Sequence, residues 1–184
     1  MIEKCTYCGI EIYRSIYRFA DSNMYAIVQD GRAVIFDPHK SDELTVILKD
    51  QNVAEVMVLL THEHHDHTSG LYWYQDNFNT KFLVQKNGAE WMASKSYLRP
   101  MFLTFLLSEA DKINGTDVLS EFKRDFVPKM YKADMEYDET FEWRWEKHIF
   151  SFYHIPGHSK GSSLIVLDHV CPLKVVDGLY KFNN

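Results

Sequence analysis

Over the first third of the chain, apolar and polar positions alternate with a short period, which predicts strands. Residues 11–19 (EIYRSIYRF) are rich in β-branched and aromatic side chains. Residues 24–29 and 32–36 flank Asp30-Gly31, and such a pair between apolar runs predicts a tight hairpin. Ser41 offers an N-cap, with Asp42 and Glu43 in the first turn, for a helix reaching Asp50. Residues 55–60 (EVMVLL) form a nearly continuous apolar run, the pattern of a strand covered on both faces. Residues 71–77 and 87–96 read as helices and 81–84 as a strand. This alternation predicts α/β layering.

Residues 98–133 break the rhythm. The run MFLTFLLSEA at 101–110 is apolar nearly all round, and Asn114-Gly115 punctuates it. It predicts a mostly helical insertion, serving as a lid, as an oligomer contact, or as a buried core helix. The charged stretch 134–139 reads as a solvated loop. Residues 140–145 (TFEWRW) place Phe141, Trp143 and Trp145 on one face, Glu146-Lys147 turns the chain, and 148–155 returns. Residues 163–167 and 174–176 are two further short strands.

A length of 184 residues fits one domain carrying that insertion. With 46% hydrophobic and 25% charged residues, a disordered chain is excluded. The net charge of −6 removes any bulk attraction for nucleic acid or anionic lipid. No apolar run approaches the ~18 residues of a membrane span. The polar first ten residues lack the apolar core of a signal peptide, so a cytoplasmic location is expected. Three cysteines make no disulfide framework, and Cys5-Thr-Tyr-Cys8 reads as a pair of ordinary thiols.

The chemistry concentrates in Thr61-His62-Glu63-His64-His65-Asp66-His67, directly after the apolar strand. Loops at the C-terminal ends of strands are where layered α/β folds place their sites. In an extended segment His62 and His64 project to the same side, and Asp66 continues the alternation. Two imidazoles and a carboxylate suit Zn²⁺, and also Fe or Mn. A hydrated His-rich loop is the plain alternative, but this run lies mid-chain behind a buried strand. A zincin helix would need His at position 66, where Asp66 stands.

The pattern THxHxDH resembles the first motif of the metallo-β-lactamase superfamily. Residues 155–162 (IPGHSKGS) resemble the family's Pro-Gly-His-(Ser/Thr)-x-Gly-Ser loop, and 176–180 (VDGLY) its later Gly-Asp-x-Leu-Phe strand end, with Val176 in place of Gly. Residues 23–27 and 35–37 fit its opening strands, the second ending in Asp37. The resemblance implies a four-layer αββα sandwich. It implies a first metal site of His62, His64 and His158. Asp66 and His67 would serve a second metal, with Asp177 bridging the two. Asp66 would also orient and deprotonate the nucleophile, and Asp37 would steady the ligands from behind. A bound Zn²⁺ lowers the pKa of its water from about 15.7 to about 7, which would supply a metal-bound hydroxide at neutral pH. Esters, thioesters, lactones and related small-molecule bonds are the implied substrates. His39 reads as an exposed turn residue, with a reach toward the metals as the alternative, His65 as facing away from the metals, and His148 and His169 as surface residues.

One departure stands out. The family's second site gains a further His some tens of residues after the bridging Asp, and here only seven residues follow Asp177. A truncated chain with a shortened second half, an absent second metal, or completion by a neighbouring subunit are the competing explanations. The incomplete sheet edge and the 98–133 insertion are the surfaces where a second copy would dock. Two function classes therefore stay open: a zinc-dependent hydrolase with one or two metals, and a metal-binding or assembly module that kept the fold and lost turnover. A redox di-iron protein of the same fold usually carries Glu at the position of His64, which counts against it.

Overall fold

A computed structural model describes residues 1–7 and 9–168 and the backbone of Cys171–Leu173. The proposed bridging ligand Asp177, the strand expected at 174–176, His169 and Cys8 lie outside the described residues. Seven strands form one sheet in sequence order: β1 (Glu3–Tyr7), β2 (Ile10–Ile16), β3 (Asn23–Gln29), β4 (Arg32–Phe36), β5 (Glu55–Leu59), β6 (Asn79–Gln85) and β7 (Met135–Tyr137). The pairs from β1 to β4 are antiparallel, and those from β4 to β7 are parallel. The second sheet is antiparallel and comprises β8 (Thr140–Trp145), β9 (His148–His154), β10 (Ser163–Leu167) and β11 (Cys171–Leu173).

Side-chain alternation decides how the layers stack. On β4, Ala33 and Ile35 enter one core, while Val34 and Phe36 enter another. On β5, Val56 and Val58 go to the first core and Leu59 to the second. The first core packs under the helices α1 (Asp42–Asp50), α3 (Leu71–Asn77) and α4 (Lys86–Met92), through Leu44, Leu48, Leu71, Tyr74, Ala89 and Met92. The second lies between the two sheets, where Trp145, Phe150, Phe152, Ile165 and Leu167 face the large sheet. A strand buried on both faces needs apolar residues at every position, which is why 55–60 reads as a continuous run. The described residues thus form a helix layer, a seven-stranded sheet and a second sheet, within the α/β class that the resemblance implies.

Local signals hold at several points. Asp30 and Gly31 have φ of +50° and +72°, the paired left-handed geometry of a two-residue hairpin, between Gln29 and Arg32. The Ser41 hydroxyl accepts from the Leu44 N–H at 3.1 Å and caps α1.

Other expectations are corrected. Residues 3–7, for which no element was expected, form β1 and pair with β2, with Cys5 opposite Ile12 in that ladder. Residues 134–139 are not a solvated loop, since β7 pairs in parallel with β6 and buries Tyr137. Parallel pairing to a distant strand leaves no local trace in so short and polar a segment. The insertion is helical as expected, with α5 (Met101–Asn114) and α6 (Val118–Asp125). It is not a buried core helix. Leu103 and Leu107 pack with Phe122, Tyr17 and Phe19 in a third cluster, while Met101, Phe102, Phe105 and Leu106 remain exposed.

Candidate metal centre

The site forms where β4 and β5 end side by side. Asp37 follows β4 in a left-handed conformation (φ +48°), which turns its carboxylate toward the neighbouring strand end. Its Oδ1 accepts from the Thr61 N–H at 2.8 Å, and its Oδ2 from the Thr61 hydroxyl at 2.6 Å. Oδ2 also lies 2.9 Å from His67 Nδ1. This buried carboxylate therefore ties the start of the histidine loop to a ring further along it. Thr61 Oγ1 in turn lies 3.1 Å from His62 Nδ1 and steadies that ring.

His64 precedes the short helix α2 (His65–Thr68) in extended geometry, and His158 stands in the β9–β10 connection. That connection is closed by the Ile155 N–H donating to the Ser162 carbonyl at 2.8 Å. It is tied to the first loop by the Ser163 N–H donating to the Thr61 carbonyl at 2.9 Å. Ring nitrogens of His62, His64 and His158 all come within 4.8 Å of one another. The His62 ring centroid is 4.7 Å from that of His64 and 4.9 Å from that of His158. His158 Nε2 and His64 Nδ1 are 2.9 Å apart. His62 is buried, His64 half-buried and His158 exposed, so the trio opens on one side to solvent. Three converging neutral-nitrogen donors fit a divalent transition metal. Burial first, and then the charge of His158, hold His64 below the usual histidine value, which favours the neutral, ligating form.

His67 adjoins this trio, its ring centroid 4.1 Å from that of His62. Its Nδ1 faces Asp37, and its Nε2 lies 3.2 Å from Asp66 Oδ2. Burial pushes the Asp66 carboxyl up, but the hydrogen bond and charge of His67, with the charge of His62, outweigh it and leave the value lowered. Asp66 and His67 thus stand together at the edge of the trio, where the resemblance would put a second metal.

The remaining histidines divide. His65 faces away as expected, stacked on Tyr97 at 4.4 Å with Nε2 2.7 Å from the Tyr97 carbonyl. His39 is not an exposed turn residue, because it is buried beside Tyr17 with Nδ1 3.0 Å from the Lys40 carbonyl. Nor is His148 a surface residue. It is buried, with Nδ1 2.7 Å from Asp168 Oδ2.

Glu63 is the site residue that sequence reasoning missed. It is 6% exposed, and its Oε2 accepts from the Ser159 hydroxyl at 2.9 Å. The Ser159 N–H donates to Ser162 Oγ, also at 2.9 Å. A Cβ on Gly161 would meet Glu63 Oε2 at 2.6 Å and the Gly88 nitrogen at 2.8 Å, so only glycine allows this approach. The one hint in the sequence is that Gly161 follows closely after His158.

A sandwich of two sheets with histidines converging at the strand ends defines a layered α/β protein of metal-site type. The sequence model of the metallo-beta-lactamase superfamily matches residues 17–169, and the chain belongs to that family. A Bacillus subtilis protein named "Probable metallo-hydrolase YqgX" is 24% identical over 146 residues, covering 77% of this chain and 58% of that protein. "Hydroxyacylglutathione hydrolase 1" of Vibrio vulnificus is 24% identical over 94 residues, 51% of this chain and 34% of that protein. The crystal structure of the BLEG-1 B3 metallo-beta-lactamase superposes with a TM-score of 0.60 at 21% identity, covering 92% of this chain and 68% of that one. This chain therefore spans less than two thirds of the length of the curated relatives named here. Among the described residues no helix is long and apolar enough to cross a membrane.

Proposed function

We propose that this chain carries the metal-binding machinery of a zinc-dependent hydrolase acting on a small-molecule ester or thioester. The observation that carries the reading is the convergence of His62, His64 and His158 from loops 94 residues apart in sequence. The relatives' names support the hydrolase class, and a hydroxyacylglutathione makes an acyl thioester the first substrate to test.

His62, His64 and His158 would hold one metal; Asp66 and His67 would serve a second, with Asp177 as the bridge. A divalent ion there supplies Lewis acidity and acidifies water near neutral pH. The chain's own groups do the rest. Asp37 and Thr61 orient the rings of His67 and His62. Asp66, held ionised by its contact with His67, would accept a proton from an attacking water. The exposed side at His158 admits substrate.

Metal analysis and a hydrolysis screen test this. The zinc-loaded chain should cleave a thioester, lactone or ester that the metal-stripped chain leaves intact, and replacing His62 and His64 together by Ala should abolish zinc uptake. Full zinc retention in that double variant defeats the assignment of the ligands. Tight zinc binding with no turnover favours the metal-binding or assembly module instead.

A further inference from the structure

We propose that the groove beside the histidine trio selects an acyl substrate carrying negative charge together with an apolar group. The scissile bond in this statement rests on the hydrolase reading above, whereas the binding preference does not.

The groove encloses about 690 Å³, and His64 lies in its wall. That volume suits a small molecule. Its lining combines two kinds of side chain. Trp91, Met101 and Phe102 are apolar, and they are 43%, 73% and 61% exposed. Three such groups left in water at one place form a patch that a ligand would cover favourably. The Phe102 ring centroid is 6.0 Å from that of His64, so a group resting on Phe102 lies beside the trio.

The charged lining is one-sided. Lys95, Arg99 and Lys160 border the groove, and none of the three makes an ion pair among the described residues. Elsewhere, Arg14, Arg18 and Arg32 are each paired with an acid. The acid lining the groove is Glu63, which is buried and engaged by Ser159. Three unpaired cations around one opening, in a chain of net charge −6, create a local field opposite in sign to the whole.

The cations come from two separate segments. Lys95 and Arg99 bracket the 3-10 turn Lys95–Leu98. Lys160 follows His158 by two residues, and its carbonyl accepts from His154 Nε2 at 2.8 Å and from Asn87 Nδ2 at 3.4 Å. Its main chain is therefore held against the start of α4. An anionic substituent in the groove would face the cations that line it while its apolar part rests on Phe102.

The test uses S-benzylmercaptosuccinate, a dianionic thioether with no bond to hydrolyse, and its uncharged diamide. Calorimetry on the full metal-free chain should show the dianion bound about tenfold or more tightly than the diamide at low salt, with a preference that shrinks in ~0.5 M NaCl. The Lys95→Gln, Arg99→Gln, Lys160→Gln triple variant, with an unchanged circular dichroism spectrum, should lose the preference. Equal affinities for the two compounds, including no measurable binding of either, would overturn the proposal. So would an undiminished preference in the triple variant. A chain that keeps the charge preference but hydrolyses no ester when zinc-loaded supports the groove and defeats the hydrolase reading, so the two failures remain distinguishable.

Discussion

Glu63 Oε2 accepts a hydrogen bond from Ser159 Oγ at 2.9 Å, joining the residue between two candidate ligands to the residue beside the third. The bond spans 96 positions of sequence and links the β5 loop to the β9–β10 connection. Lying between His62 and His64 in the loop after β5, Glu63 turns its carboxylate to Ser159 and into the joint between loops. Glu63→Ala should therefore weaken zinc binding about 10- to 100-fold, as loss of a group supporting ligands generally does. Glu63→Gln keeps an acceptor for Ser159 and should lose less. Competition with a chromophoric chelator measures both, and equal losses in the two variants would argue against the hydrogen bond as the cause.

Asp37 sets a second prediction. It is 1% exposed and takes hydrogen bonds from the Thr61 N–H and hydroxyl while facing His67 Nδ1. Asp37→Ala strands those buried donors at a cost of about 1–3 kcal/mol each when unsatisfied. The metal-free chain should lose several kcal/mol in urea unfolding. A loss below ~1 kcal/mol would mean that the carboxylate matters little to the fold.

Gly161 provides a steric test. A methyl group there would lie 2.6 Å from Glu63 Oε2 and 2.8 Å from the Gly88 nitrogen, and the Gly88 side of the contact is main chain. Gly161→Ala should force the His158 loop outward, destabilise the chain by about 1–3 kcal/mol, and lower zinc affinity in parallel. Wild-type zinc affinity in this variant would show that His158 does not depend on the joint.

The buried His39 yields a pH dependence. Burial lowers its pKa from 6.5, outweighing hydrogen bonds to the backbone of Lys40 and Ser15. With the folded value below the unfolded one, the unfolded chain binds the extra proton first as pH falls. The stabilisation is whole above pH 6.5 and is lost as pH drops through the depressed folded value. His39→Gln should flatten the acid limb of the stability curve relative to wild type. Denaturation midpoints across pH 4.5–7.5 read this out, and superimposable acid limbs would refute it.

Much of the molecule is legible in the chain because it depends on local spacing. The doubly buried strand at Glu55–Leu59, the Asp30-Gly31 hairpin and the Ser41 cap follow from side-chain period, left-handed turn residues and a hydroxyl before a helix. The alternation in THEHHDH predicts that His62 and His64 share a side, and the structure brings their rings to 4.7 Å.

What tertiary structure alone decided are contacts between segments far apart in sequence. No local pattern marks residues 135–137 as the seventh strand, since their pairing energy comes from β6, some 50 residues earlier. No periodicity shows that Glu63 is buried against Ser159 and Gly161, or that His39 and His148 lie inside. The grouping of Lys95, Arg99 and Lys160 around one opening arises only when two loops close on each other. Sequence spacing determines which residues share a face within a segment; which faces then meet depends on how the layers pack, a property of the whole chain.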